Sequence, residues 1–279
     1  MSQRSYDNSS SLYLIPTPIG NLDDITIRAL NVLKMVDFIL CEDTRETGKL
    51  LNYFNIRKKL VSCHEFNEDK IKDYVLQELS NGRNIGLVTD QGSPIISDPG
   101  YIVVREVIKN NFNVISLPGA TAFVPALSSS GITPSPFLFY GFLSSKESKQ
   151  KKELESLKKL KYTMIFYESP HRIKFTLFNM LKIFGDRNIS ISREISKIYE
   201  EIFRDKISKL LDFCDNMKGE MVIIVEGNLN VQDYSDLSIL DHVKLYLDDG
   251  ITEKEAIKIV AKERDVPKSL IYKEYHDNK

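Results

Sequence analysis

The sequence is poor in the residues that build metal and disulfide sites. It has three cysteines, Cys41, Cys63 and Cys214, with no CxxC pair, and four histidines, His64, His171, His242 and His276. That spacing excludes a disulfide framework and a zinc cluster, and no metal is expected. Long apolar runs are missing too; none approaches the roughly 20 residues that span a bilayer. The start, Met1 to Ser11, is polar, with no apolar stretch ahead of a cleavage site. The expectation is a soluble, cytoplasmic protein with no membrane partner. An excess of one charge is also absent. The 38 basic and 39 acidic residues leave a formal net charge of −1, so RNA contact must use local patches rather than a chain-wide attraction.

What is present is ordinary globular usage. The 279 residues are 42% hydrophobic with 13 Gly and 10 Pro, which excludes disordered, collagenous and repeat-rich classes. The length predicts about two domains and a small appendage.

Short apolar runs at 12–15, 38–41, 60–63, 85–89 and 114–117 read as buried strands, with amphipathic stretches 25–35, 48–54 and 71–79 between them. This βαβ pattern predicts an α/β fold with a parallel sheet covered by helices. A proline-rich loop, Thr133-Pro134-Ser135-Pro136, marks a domain boundary. Beyond it, strands are predicted at 137–142, 163–167, 189–192, 199–203 and 221–226; no helical spacer separates 189–192 from 199–203, so this sheet reads as mixed. The organisation is a disordered tail over 1–11, α/β domains over 12–133 and 134–230, and a small helical region over 231–279.

Residues 146–161 hold seven lysines and three glutamates, with Leu154, Leu157 and Leu160 at three-residue spacing. This is a basic-faced helix, either merely solvated or, through Lys149 and Lys152, in contact with RNA. Near the end, Thr252-Glu253-Lys254-Glu255 reads as a capping box and Val266-Pro267-Lys268-Ser269 as a second cap. Two short helices joined by a tight turn fit a helix-turn-helix, and any three-helix appendage equally well.

Common nucleotide signatures are missing. No GxGxxG follows a strand, and Asp43 stands where a P-loop ending in Gly48-Lys49 needs glycine. Three turns after predicted strands nevertheless concentrate Gly, Pro and polar residues: Pro16-Thr17-Pro18-Ile19-Gly20-Asn21, the loop Thr89 to Gly100, and Pro118-Gly119-Ala120-Thr121-Ala122. In α/β sheets such loops bind ligands. The second ends at a helix start that Ser97 or Asp98 would cap. Glu42-Asp43-Thr44-Arg45 and Tyr167-Glu168-Ser169-Pro170-His171-Arg172 also follow strands. Ser169 and Pro170 fit the N-cap and N1 positions, which puts His171 and Arg172 in a first helical turn, where cations oppose the dipole and a purely stabilising role would prefer acids.

Pro16-Thr-Pro-Ile-Gly-Asn-Leu-Asp-Asp-Ile-Thr, Glu42-Asp-Thr-Arg-Glu-Thr-Gly, the Asp90–Gly100 loop, Leu117-Pro-Gly, Phe166-Tyr-Glu-Ser-Pro-His-Arg and Gly219-Glu-Met-Val-Ile-Ile-Val-Glu-Gly together closely resemble the bacterial small-subunit ribosomal RNA cytidine 2′-O-methyltransferases of the tetrapyrrole methylase superfamily. The resemblance covers about residues 12–227. It implies S-adenosylmethionine in a cleft between two α/β domains, usually in a homodimer, and a decoding-region cytidine of small-subunit ribosomal RNA, free or in the assembled subunit, as acceptor. By motif matching the cofactor touches Pro18, Gly92, Ser93, Ile96, Thr121 and Ala122, and, from the second domain, Phe166, Tyr167, Met221 and Val222. One departure is Gln91, where the family usually has alanine; the side chain either faces the cofactor or solvent.

Methyl transfer to a ribose hydroxyl needs alignment and a proton acceptor. The candidate bases are Asp43 and Glu168, followed by Glu42 and His171. Asp43 and Glu168 each have an arginine nearby, Arg45 and Arg172, able to hold a phosphate, and Arg193 beside Glu194 makes a third pair. The same pairs would serve equally to brace each other. Two readings compete with this one: a methyltransferase of the same fold for a tetrapyrrole or other small molecule, and a non-catalytic nucleic-acid-binding module.

Overall fold

The computed structural model describes residues 3–5, 7–229, 234, 237–264 and 266–278. The first half alternates strands and helices: β1 (Ser11–Leu14), α1 (Ile27–Met35), β2 (Phe38–Cys41), α2 (Thr44–Tyr53), β3 (Lys59–Ser62), α3 (Glu68–Ser80), β4 (Ile85–Leu87), α4 (Tyr101–Lys109), β5 (Asn113–Ser116) and α5 (Phe123–Ser129). The strands form one sheet in the order β3-β2-β4-β1-β5, with every pairing parallel. Alternation sorts the side chains onto two faces. Leu12, Leu14, Phe38, Leu40, Ile85 and Leu87 pack with Val75 and Leu79 of α3 and Val103 and Val107 of α4. Ile15, Ile39, Cys41 and Val88 pack with Ala29, Val32 and Leu33 of α1 and Leu51 of α2. Because the strands are parallel, the loops that follow them all emerge at one edge.

The second half holds β6 (Phe137–Phe142), α6 (Glu147–Leu157), β7 (Thr163–Glu168), α7 (Ile173–Phe184), β8 (Asn188–Arg193), β9 (Glu201–Lys206), α8 (Ile207–Phe213) and β10 (Met221–Val225). Its sheet, β6-β7-β10-β8-β9, joins β6 and β7 in parallel and the other neighbours antiparallel, which makes it the mixed sheet that the missing spacer predicts. On α6, Leu154 and Leu157 are buried while Lys149 and Lys152 face solvent.

Several local expectations fail, one of them because a distant residue takes over. The helix after the long loop is not capped by Ser97 or Asp98. Gly100, in the left-handed region with φ 117°, holds the N-cap position of α4 and has no side chain to offer. Glu68 of α3 caps it instead, accepting from the main-chain N–H of Gly100 and of Ile102, each at 2.9 Å. His171 and Arg172 do not lie in the first turn of a helix: α7 starts at Ile173, with Arg172 at its N-cap at φ −114°. The Ser169 carbonyl, accepting from Arg172 N–H at 3.1 Å, closes a separate tight turn first. The helix expected from Gly48 begins four residues earlier, at Thr44, because the Asp43 side chain accepts from Arg45 N–H. β9 starts at Glu201 rather than at 199, since Glu194 and Ser196 adopt φ 51° and 71° and hold residues 194–200 in a loop.

Of the tail residues, Met1, Ser2 and Tyr6 lie outside the described residues. The Gln3 amide brackets the main chain of Val114, donating to its carbonyl at 2.6 Å and accepting from its N–H at 3.0 Å.

By contacts, the chain divides into two compact units, Met1–Asn228 and Leu229–Lys279. The boundary expected at residues 230–231 lies outside the described residues. The second unit contains α9 (Ile239–Asp248), α10 (Glu253–Glu263) and α11 (Lys268–Asp277) around a core of Val243, Ala256, Ile257, Val260, Ile271 and Tyr275. Neither expected cap forms in full. The Thr252 hydroxyl donates to the Glu255 carboxylate at 3.1 Å rather than accepting from the helix, and Pro267 starts α11 without a side-chain cap. Among the described residues, no helix is long and apolar enough to cross a membrane.

Candidate functional site

The loops after β1, β4 and β5 are tied into one surface. Thr17 and Gly92 exchange main-chain hydrogen bonds at 2.9 and 3.0 Å, and the Thr17 hydroxyl donates to the Thr89 carbonyl at 3.0 Å. The Ser93 hydroxyl donates to the Ala120 carbonyl at 3.1 Å. Gly119 lies so close to the first loop that a Cβ there would come within 2.6 Å of Pro16 Cβ. The β4–α4 loop also holds Ile95 at φ 77° and Ser97 at φ 71°. A β-branched residue in the left-handed region costs energy, and such conformations persist where the surrounding structure enforces them, commonly at binding sites.

The second sheet supplies the facing wall. Tyr167, Glu168 and Ser169 come from the end of β7, Glu220, Met221 and Val222 from the antiparallel start of β10, and Glu194, Ile195 and Lys197 from the loop after β8. That loop is anchored across the cleft, where the Ser196 hydroxyl donates to the Asp24 carboxylate. The two walls enclose a cavity of about 380 Å³.

Gly92, Ser93, Ile96, Thr121, Ala122, Tyr167, Met221 and Val222 all line this cavity. Pro18 and Phe166 do not. Pro18, which follows the bridging Thr17, is buried, and its neighbour Ile19 lines the cavity instead. Phe166 points to the opposite face of β7 from Tyr167 and packs at 0% exposure with Met164, Leu177 and Ile223, as the two-residue period of a strand places neighbouring side chains on opposite faces. Gln91 is exposed at the rim.

The acid–base candidates separate sharply. Asp43 is outside the cavity lining, and Arg45 grips its carboxylate at 3.1 Å through Nε and 2.6 Å through Nη2. The guanidinium and the helix N–H hold this carboxyl well below the usual carboxylate range. His171 is exposed and also outside the lining. Glu168 reaches the cavity but is fully engaged: Ser169 N–H donates to Oε1 at 2.9 Å, Thr176 Oγ1 to Oε2 at 2.6 Å, and Arg172 Nε lies 3.4 Å away. Glu42 is half-buried behind Asp90, and its carboxyl is pushed up by burial and by that neighbour.

The arginines are committed to protein partners. Arg172 Nη2 donates to the Leu143 carbonyl at 2.7 Å. Arg193 binds its cross-strand partner Glu201 at 2.9 and 2.7 Å. Arg45, although paired with Asp43, keeps 83% of its side chain exposed.

Sequence reasoning missed Asp98. It lines the cavity half-buried, and burial, with the Glu42, Asp90 and Glu220 carboxylates adding to it, pushes its carboxyl from the ordinary 3.8 up to about 6. It also missed the acidic character of the whole site: Asp90, Asp98, Glu168, Glu194 and Glu220 line the cavity against a single lysine, Lys197, which is itself paired with Glu194 at 3.0 Å. Such a lining favours a cation. Among the described residues, no group of His, Cys, Asp and Glu side chains could hold a metal ion.

Comparison with known proteins agrees with this architecture. Residues 11–211 match the family Tetrapyrrole (Corrin/Porphyrin) Methylases. The chain is 46% identical to ribosomal RNA small subunit methyltransferase I of Bacillus subtilis (strain 168) over 285 aligned residues, covering 98% of each chain. It is likewise 46% identical to the protein of that name from Halalkalibacterium halodurans, covering 99% of each. In fold it is similar to uroporphyrin-III-C-methyltransferase from Thermus thermophilus, with a TM-score of 0.57 at 16% identity over 82% of this chain and 98% of that one. With its two-sheet architecture and the cleft between the sheets, the chain belongs to the tetrapyrrole (corrin/porphyrin) methylase family.

Proposed function

We propose that this protein transfers a methyl group from S-adenosylmethionine to the ribose 2′-oxygen of a cytidine in small-subunit ribosomal RNA, as a homodimer. The observation that carries the reading is the acid-lined cavity of about 380 Å³ between the sheets, with a half-buried carboxyl at its wall. Near-full-length identity to proteins named for ribosomal RNA methylation supports the substrate class. The lining suits the cofactor in sign, because Asp90, Asp98 and Glu220 would stabilise a sulfonium there. Bound there, S-adenosylmethionine supplies a methyl group activated by positively charged sulfur.

The chain contributes position and proton transfer. Gly92, Ser93, Thr121 and Ala122 would hold the cofactor from the first domain, and Tyr167, Met221 and Val222 from the second. Asp98 would accept the proton that the acceptor 2′-hydroxyl gives up on methylation. An acceptor with a pKa near the working pH suits the task, whereas the Arg45-bound Asp43 is too weak a base. Glu168, held by two hydrogen bonds and the Arg172 ion pair, is a positioning residue that fixes the end of β7.

The test is transfer of labelled methyl groups to small subunits lacking the modification, to deproteinised small-subunit RNA and to uroporphyrinogen, with the product mapped by mass spectrometry. Label on a cytidine ribose is expected. Label confined to the tetrapyrrole would overturn the reading.

A further inference from the structure

At the edge where the first sheet ends, one aromatic ring stands in water. Phe66, in the turn after β3, is 89% exposed. Its neighbours are not those of a loose surface. The His64 ring is 6.1 Å away, and His64 Nδ1 is buried without a hydrogen-bond partner. The ends of β2 and β3 are joined by Cys63 N–H donating to the Cys41 carbonyl at 2.8 Å, so Glu42 and His64 leave the sheet side by side. Asp43 N–H donates at 3.2 Å to Asp90, a wall residue of the methyl-donor cavity. Arg45, two residues on, pairs with Asp43 and keeps its side chain 83% exposed.

This edge offers what an unstacked pyrimidine nucleotide needs. RNA bases drawn out of a helix are held on aromatic faces. A carboxylate accepts from the cytosine amino group, which uracil lacks, and a guanidinium takes the phosphate. We infer that the ends of β2 and β3 form the acceptor-nucleotide subsite, with Phe66 stacking on the base, Glu42 reading the cytosine amino group and Arg45 holding a flanking phosphate. The inference rests on the ribosomal RNA reading above and adds the recognition of the base to it.

The experiment compares wild type with Phe66→Ala, Phe66→Leu, Phe66→Trp and Glu42→Gln. Acceptors are unmodified small subunits carrying either the target cytidine or a uridine in its place. Phe66→Ala and Phe66→Leu are expected to raise KM for the subunit about ten- to hundredfold, with Phe66→Trp restoring it. S-adenosylmethionine affinity and solution mass should not change, because Phe66 is outside the cavity lining. Glu42→Gln should cut the preference for cytidine over uridine by about tenfold or more, since an amide can also donate to the uracil carbonyl. Wild-type enzyme that labels no cytidine would sink the functional reading itself. Normal wild-type labelling, with KM within about twofold in both Phe66→Ala and Phe66→Leu, would overturn the subsite alone. A changed solution mass with unchanged KM would overturn it too, assigning the ring to a protein interface.

Discussion

The carboxylate of Glu68 on α3 caps α4 by accepting from Gly100 and Ile102 N–H, and so fixes the far end of the loop that carries Gly92, Ser93 and Asp98. Glu68 is 5% exposed. Glu68→Ala would leave the buried Gly100 N–H and the part-buried Ile102 N–H without their acceptor, at about 1–3 kcal/mol for the buried donor and less for the one that water can reach. We expect a lower unfolding midpoint in denaturant and weaker S-adenosylmethionine binding by calorimetry. Glu68→Gln, which keeps one acceptor, should lose less. Equal affinity in Glu68→Ala and wild type would show that the cap does not shape the cavity.

A second prediction concerns loop contact. Pro16 is a rigid ring, so a methyl at position 119 cannot be accommodated by a side-chain rotation, and Gly119→Ala must part the two loops. Cofactor affinity should fall about tenfold or more, at about 1.4 kcal/mol per factor of ten, with a smaller loss of global stability. Gly82→Ala, at a turn where a Cβ meets nothing within 4 Å, is the control for a glycine whose cost is purely conformational. If Gly119→Ala binds as well as wild type, the packed loops are not the cofactor's floor.

These two sites show how far the sequence could be read. The strands, the parallel and mixed sheets and the three Gly- and Pro-rich loops at the cavity follow from local pattern, because apolar period and turn chemistry are properties of neighbours along the chain. Tyr167 and Phe166 are adjacent yet face opposite ways, as the two-residue period of a strand implies, and of the two only Tyr167 lines the cavity. Glu68 and Asp98 are different. The role of Glu68 depends on α4 arriving 32 positions later, and the raised carboxyl of Asp98 on burial and on Glu42, Asp90 and Glu220 from separate segments. Arg172 and Arg193 read as phosphate ligands in sequence; the folded chain gives their donors to Leu143 and Glu201.

Asp98 also ties activity to stability. Its carboxyl is raised to about 6, so between about 4 and 6 the folded protein holds a proton that the unfolded chain has released. Its contribution to stability is therefore present below the unfolded value of 3.8 and is lost as pH rises through about 6. Asp98→Asn should accordingly be more stable than wild type at pH 7 and lose that advantage below about pH 4. If Asp98 is the proton acceptor, the same variant loses about 10²–10⁴-fold in turnover, and wild-type turnover falls below a limb near pH 6. Denaturant titrations and single-turnover rates across pH separate the two effects. An Asp98→Asn variant with wild-type turnover would remove Asp98 from the reaction.

The helical unit carries its own pH dependence through His242, which is 0% exposed. Arg264 Nε–H donates to His242 Nδ1 at 3.0 Å, so that nitrogen must be unprotonated. The proton then sits on Nε2, which donates to the Glu263 carboxylate at 3.0 Å, and the ring stacks on Tyr234 at 3.7 Å. Burial and the Arg264 charge outweigh Glu263 and lower the pKa from its ordinary 6.5. The unfolded chain therefore takes up a proton first, and the stability contributed by neutral His242 is lost as pH falls below 6.5 towards the folded value. In the full chain, hydrogen exchange of α9, α10 and α11 amides, corrected for intrinsic rates, should show weaker protection at about pH 5 than at about pH 7.5, the opposite sense to the change that Asp98 gives the β2 and β10 amides of the other unit. Protection that strengthens on acidification would mean that His242 is held as a cation, with Glu263 rather than Arg264 governing the ring.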